Sequence, residues 1–103
     1  MNTQVLTKVL NKYGSTAQED ICIEEMSELT KAILKHRRAG KFAQGNLNDT
    51  LSDIVEETAD VEICLEYIKL IYSQTAPDFC ERVDKMIDYK VDRIERRLNN
   101  GTK

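Results

Sequence analysis

Apolar residues return every three or four positions along nearly the whole chain, and no stretch alternates apolar with polar, so the pattern predicts helices with no competing strand. A first short helix over about residues 2 to 12 carries Val5, Leu6, Val9 and Leu10 at helical spacing and stops at Tyr13-Gly14. A second begins behind a capping box, either Ser15 with Gln18 or Thr16 with Glu19, and runs to about His36 before Arg37, Arg38 and Ala39-Gly40 end it. Residues 40 to 48 (GKFAQGNLN) read as a loop, the one segment expected to be mobile, with Asn48 as cap of a long third helix running to about Ser73. Thr75-Ala76-Pro77-Asp78 supplies a cap, a first-turn proline and an early acid for a fourth helix ending at Asn99-Asn100-Gly101.

Projected at about 100° per residue, these helices are not simply amphipathic. The apolar arc of the second is Ile21, Cys22, Met26, Leu29, Ala32 and Ile33, yet Glu25 falls inside it, Glu28 at its edge and Glu24 further out. On the third, Ile54, Val61, Cys64, Leu65, Ile68 and Tyr72 define the arc, with Glu57 inside and Asp60 at the margin. On the fourth, Phe79, Val83, Met86, Ile87, Ile94 and Leu98 form a stripe that also contains Lys90 and Arg97, with Arg93 just off it.

An ionised carboxylate buried without a partner costs several kcal/mol, comparable to the whole stability of a small domain, so several together call for a cation. Residues three apart on a helix have Cβ atoms about 5 to 6 Å apart, so Glu25 with Glu28, and Glu57 with Asp60, can each present oxygens to one ion. Hard oxygen ligands select Mg²⁺, with Mn²⁺ as a substitute, and Mg²⁺ characteristically works with carboxylates plus substrate phosphates. Lys90 and Arg97 are then either salt-bridge partners of the acids or holders of phosphate oxygens. His36, set among Lys35, Arg37 and Arg38, reads as an exposed helix terminus or an anion contact. Being the only histidine, it excludes the paired Glu-x-x-His motifs of a carboxylate-bridged di-iron bundle.

With 103 residues the chain suits a single all-α domain, 1–103. Eighteen acidic against 15 basic residues, net −3, give no electrostatic case for nucleic-acid binding. No export signal and no apolar run of roughly 18 residues is present, so a cytoplasmic protein with no membrane partner is expected. Cys22, Cys64 and Cys80 lie next to apolar residues and read as reduced core thiols, in keeping with that compartment.

The segments GSTAQEDICIEEMSELTKAI and EETADVEICLE together resemble the all-α nucleoside triphosphate pyrophosphohydrolases of the MazG-like superfamily. That signature, EExxE followed by ExxD, is matched by Glu24, Glu25 and Glu28 and then Glu57 and Asp60, with 28 residues between Glu28 and Glu57, and the match spans about residues 13 to 98. The resemblance implies a four-helix bundle-like protomer and Mg²⁺-dependent cleavage of a (deoxy)nucleoside triphosphate between its α and β phosphates, giving the monophosphate and pyrophosphate. Glu25, Glu28, Glu57 and Asp60 would be metal ligands. Glu24 and Glu25 would be candidates to take the proton of the attacking water. Gln18, Lys90, Arg93 and Arg97 would contact the substrate. The chain departs from the common pattern of that superfamily in having no Trp, so stacking on the base would fall to Tyr13, Phe42 or another residue. Two alternatives share the bundle: a non-catalytic interaction or regulatory protein, and an enzyme resembling phosphoribosyl-ATP pyrophosphohydrolase. Apolar residues outside the main arcs, Ile23, Leu34, Val55, Ile63 and Leu70, predict a homodimer or homotetramer that covers them.

Overall fold

The computed structural model describes residues 1–42 and 46–101, the side chain of Phe42 excepted. Within them the chain is all-helical: α1 (Thr3–Tyr13), α2 (Ser15–Phe42), α3 (Leu47–Ser73) and α4 (Phe79–Asn99). It divides into two compact units, Met1–Leu70 and Ile71–Lys103. None of the described helices is long and apolar enough to cross a membrane.

In the first unit, Asn2 caps α1 by accepting a hydrogen bond from the Gln4 amide at 3.2 Å, and Leu6 and Leu10 are buried. Gly14 ends the helix at φ +90°, a backbone region closed to most residues, while its N–H still reaches the Leu10 carbonyl at 2.8 Å. The sharp turn lets α2 start at Ser15 and pack against α1. Helix α2 does not end at Arg38-Ala39-Gly40 as its sequence suggests; it continues to Phe42. Ala39 is buried to 3% exposure, and a Cβ on Gly40 would lie 3.6 Å from Leu47 Cδ2, so the last turn is held by packing against the start of α3. That packing offsets a glycine penalty of about 1 kcal/mol. Of the loop expected to be mobile, residues 43–45 lie outside the described residues. The cap of α3 is Asn46 rather than Asn48: its Oδ1 accepts from the Asn48 amide at 2.8 Å.

Helices α2 and α3 run antiparallel along one seam. Cys22 Sγ meets the Cys64 carbonyl at 3.6 Å, Glu25 meets Asp60, and His36 Nδ1 meets Thr50 Oγ1 at 2.8 Å, so α3 retreats residue for residue as α2 advances. The seam is lined by small side chains, with Cys22, Ala32, Ala39, Thr50 and Cys64 all under 9% exposed, which lets the two backbones approach closely. His36 is therefore not an exposed helix terminus. It lies inside α2, half-buried, with its Nδ1 hydrogen-bonded to Thr50 Oγ1, which also lies within hydrogen-bond distance of the Asn46 and Leu47 carbonyls. Much of the predicted apolar arc stays open: Ile21 is 46% exposed, Ile33 42% and Leu65 45%. Among the outer residues expected to sit in an interface, Ile23 (68%) and Val55 (64%) are the most exposed, Leu34 is also exposed, and Ile63 and Leu70 are half-buried.

In the second unit, Thr75 does not cap α4. Its hydroxyl donates to the Tyr72 carbonyl at 3.3 Å and so closes the end of α3, and α4 starts at Phe79 behind Asp78. The Tyr72 and Phe79 rings stack with centroids 5.8 Å apart. No residue of α4 is fully buried; Met86, Ile87, Ile94 and Leu98 are each more than half exposed. Cys80 is exposed, against expectation, with its Sγ 3.7 Å from Ser73 Oγ, whereas Cys22 and Cys64 are buried free thiols.

Candidate metal centre

Two turns of the α2–α3 seam place acids where its neighbours are small and apolar. Glu25 sits one turn beyond buried Cys22 on α2, and Asp60 one turn before buried Cys64 on α3, so the register that buries the thiols also draws the carboxylates together. Glu25, Glu57 and Asp60 are all half-buried, and one carboxylate oxygen from each lies within 4.8 Å of the others. Glu57 Oε2 is fully buried and has no hydrogen-bond partner among the described residues.

This crowding is visible in protonation. The Glu25 carboxyl is held above its ordinary pKa first by burial, then by the negative charges of Asp60 and Glu57, and finally by hydrogen bonds that its protonated form makes with both. Burial, together with a hydrogen bond that the protonated Cys64 thiol makes to Cys22 and the charges of Cys22, Glu25 and Asp60, pushes the Cys64 thiol up to about 12, so it is not a thiolate ligand. Burial raises the Tyr67 hydroxyl, with further contributions from the two cysteines.

The donor set is three carboxylates with no nitrogen and no thiolate, which suits Mg²⁺ or Mn²⁺ and disfavours zinc. Oxygens gathered within 4.8 Å of one another are close enough for modest side-chain rotations to bring them onto one small divalent ion. The orphaned Glu57 oxygen is the atom a cation would satisfy.

The other predicted site residues are placed as follows. Glu28 lies outside the tight triad and pairs with Lys31 Nζ at 3.4 Å, its side chain 43% exposed. It shares with Glu57 a cleft further along the seam, lined also by Lys31, Ala32, Lys35 and Asp53. Glu24 is exposed and outside the triad. Gln18 is buried in the first turn of α2, at 6% exposure. Tyr13 is exposed at the end of α1 with Lys12 Nζ 5.2 Å from its ring centre, while the Phe42 side chain lies outside the described residues. In the second unit Lys90 and Arg97 are exposed; Arg93 is half-buried over the Tyr89 ring, 5.9 Å from its centre, and its Nε is buried without a partner.

Sequence reasoning missed Lys31, Lys35 and Asp53. Their only signal is spacing: Lys31 and Lys35 follow Glu28 by three and seven residues, and Asp53 precedes Glu57 by four, so each continues the face of a residue already singled out. Comparison of the chain with protein-family models, with curated proteins and with solved structures gave no match.

Proposed function

We propose that this chain is a Mg²⁺-dependent nucleoside triphosphate pyrophosphohydrolase of the MazG-like type, splitting a (deoxy)nucleoside triphosphate between its α and β phosphates into the monophosphate and pyrophosphate. The observation that carries this reading is the meeting of Glu25, Glu57 and Asp60 within 4.8 Å, with a buried and unpartnered Glu57 oxygen. Their order along the chain, EExxE then ExxD, supports it.

Glu25, Glu57 and Asp60 would hold the ion, with Glu28 at the rim. When bound, Mg²⁺ would neutralise phosphate charge and make a water easier to deprotonate. The chain's own part is positional and acid–base. The triad gathers negative charge at one point of the seam, and the raised pKa of Glu25 brings that carboxyl closer to the working range of a general acid or base. Glu24, next in sequence and open to solvent, would pass a proton to bulk water, a role its exposure supports. No covalent intermediate is needed.

The exposed apolar residues Ile23, Val55 and Leu34 on the outer faces of α2 and α3 favour a homodimer or homotetramer. A reduced cytoplasmic setting agrees with three free cysteines. The test is turnover of a panel of nucleoside triphosphates with and without Mg²⁺, in the wild type and in Glu57→Gln. The proposal expects pyrophosphate release that needs the metal and falls at least a hundredfold in the variant; full activity in Glu57→Gln would sink it.

A further inference from the structure

A triad of acids attracts a metal and repels a triphosphate, so the proposed activity needs positive charge close by on the same seam. The cleft shared by Glu28 and Glu57 supplies it. It is an open hollow of about 180 Å³ between α2 and α3, lined by Glu28, Lys31, Ala32, Lys35, Asp53 and Glu57. Ala32 is the small, buried residue among them, and its lack of bulk helps to leave the hollow open. Lys31 and Lys35 are four residues apart, on one face of α2, about 5 and 10 Å along the helix axis from Glu28. Among the described residues Lys31 pairs with Glu28 alone, at 3.4 Å with side chains 70% and 43% exposed, a contact of the kind that contributes little and exchanges readily. Lys35 makes no ion pair among the described residues.

The charge balance of the lining is specific. Three carboxylates against two ammonium groups leave the cleft slightly negative, so a bare polyphosphate is disfavoured while a polyphosphate that arrives with a divalent cation is matched in both signs. Glu57 joins the two regions: it is one of the three clustered acids and it lines the cleft. Its Oε2, buried and without a hydrogen-bond partner among the described residues, lies at that junction.

We propose that this cleft seats the distal phosphates: Lys31 and Lys35 bind oxygens of the pyrophosphate portion of a metal-complexed nucleoside triphosphate, and these contacts set the preference for triphosphates over diphosphates. The inference rests on the activity proposed above. The two lysines are substrate-binding groups, and being exposed they can be changed without disturbing the core.

The experiment titrates inorganic pyrophosphate into the full chain by calorimetry, with and without Mg²⁺, for the wild type, Lys35→Gln, the double variant Lys31→Gln/Lys35→Gln, and Lys35→Arg. Wild-type protein is expected to bind pyrophosphate only when Mg²⁺ is present. Removing a charge-assisted contact weakens binding roughly ten- to hundredfold, so Lys35→Gln should show that loss and the double variant more, while Lys35→Arg stays within about threefold. In turnover, the double variant should lose kcat/KM for triphosphates by the same order while its affinity for Mg²⁺ alone stays unchanged, a split that a merely structural role would not produce. Wild-type pyrophosphate binding equal to that of the double variant would overturn the cleft assignment while leaving triphosphate hydrolysis standing. Mg²⁺ binding with no pyrophosphate binding would overturn it as well. A wild type that binds Mg²⁺-pyrophosphate through the lysines but hydrolyses no triphosphate would support the cleft and overturn the catalytic reading.

Discussion

Replacing Glu57 by Gln separates a metal centre from an internal salt bridge because the two readings predict opposite signs. In the metal-free protein, Glu57 and Asp60 bring oxygens within 4.8 Å of each other, and among the described residues no ion pair offsets their charge. Two unit charges at that distance repel by about 3 kcal/mol at an effective dielectric of about 20, and the half-exposed setting screens this to about 1 kcal/mol. A glutamine amide keeps the shape, removes the charge and can donate to Asp60. The metal-free variant should therefore melt at or above the wild-type temperature, by roughly 4–8 °C for 1 kcal/mol in a domain of this size. Mg²⁺ at a hundred times its dissociation constant adds about 2.7 kcal/mol to the wild type, which corresponds to a rise of roughly 10–20 °C. Glu57→Gln should lose most of that rise. Scanning calorimetry on chelator-treated protein, with and without Mg²⁺, reads both effects. A variant that melts well below the wild type, together with a wild type indifferent to Mg²⁺, would refute the reasoning and make Glu57 a structural ion-pair partner.

The raised pKa of Glu25 makes stability depend on pH in a defined direction. Above its ordinary value of 4.5 the folded chain still holds a proton that the unfolded chain has released, so the Glu25 contribution is full below that pH and is lost as pH rises through the raised pKa. The melting temperature of metal-free wild type, minus that of Glu25→Gln, should fall across that window, and saturating Mg²⁺ should abolish the fall. With Cys64 pushed up to about 12 and both seam thiols buried, a thiol reagent at pH 8 should label Cys80 at once and Cys22 and Cys64 only on unfolding; rapid labelling of all three would contradict the seam as described. Light scattering at micromolar concentration should give a dimer or tetramer, and the mutations Ile23→Glu or Val55→Glu should shift it towards monomer; a wild-type monomer would remove the assembly from the account.

The helical pattern was legible because period and punctuation agree, and Gly14 is the clearest case: a glycine after a tyrosine, taking a backbone angle of +90° that turns the chain from α1 to α2. The misread boundaries share one cause, long-range packing overriding local signals. Gly40 looks like a stop, yet the helix runs on where Ala39 is buried and Gly40 faces Leu47; Asn48 and Thr75 look like caps, yet the Asn46 side chain caps α3, and Thr75 closes the end of α3 while α4 starts behind Asp78. Glu25, Glu57 and Asp60 could be picked out because carboxylates in an apolar register are anomalous against their neighbours. Lys31, Lys35 and Asp53 could not, because charges on a solvated face are the ordinary state of a helix and only the antiparallel register of α2 and α3 gathers them into one cleft. His36 was hidden for a related reason: its partner Thr50 is buried by the same register, which no local pattern encodes.

The most direct measurement of the central claim is the product pair formed from a nucleoside triphosphate and Mg²⁺, followed by phosphorus NMR. The account predicts nucleoside monophosphate and pyrophosphate accumulating in equal amounts, with neither appearing when the metal is chelated. Nucleoside diphosphate with orthophosphate, or no turnover of any triphosphate by a protein that binds Mg²⁺, would contradict it.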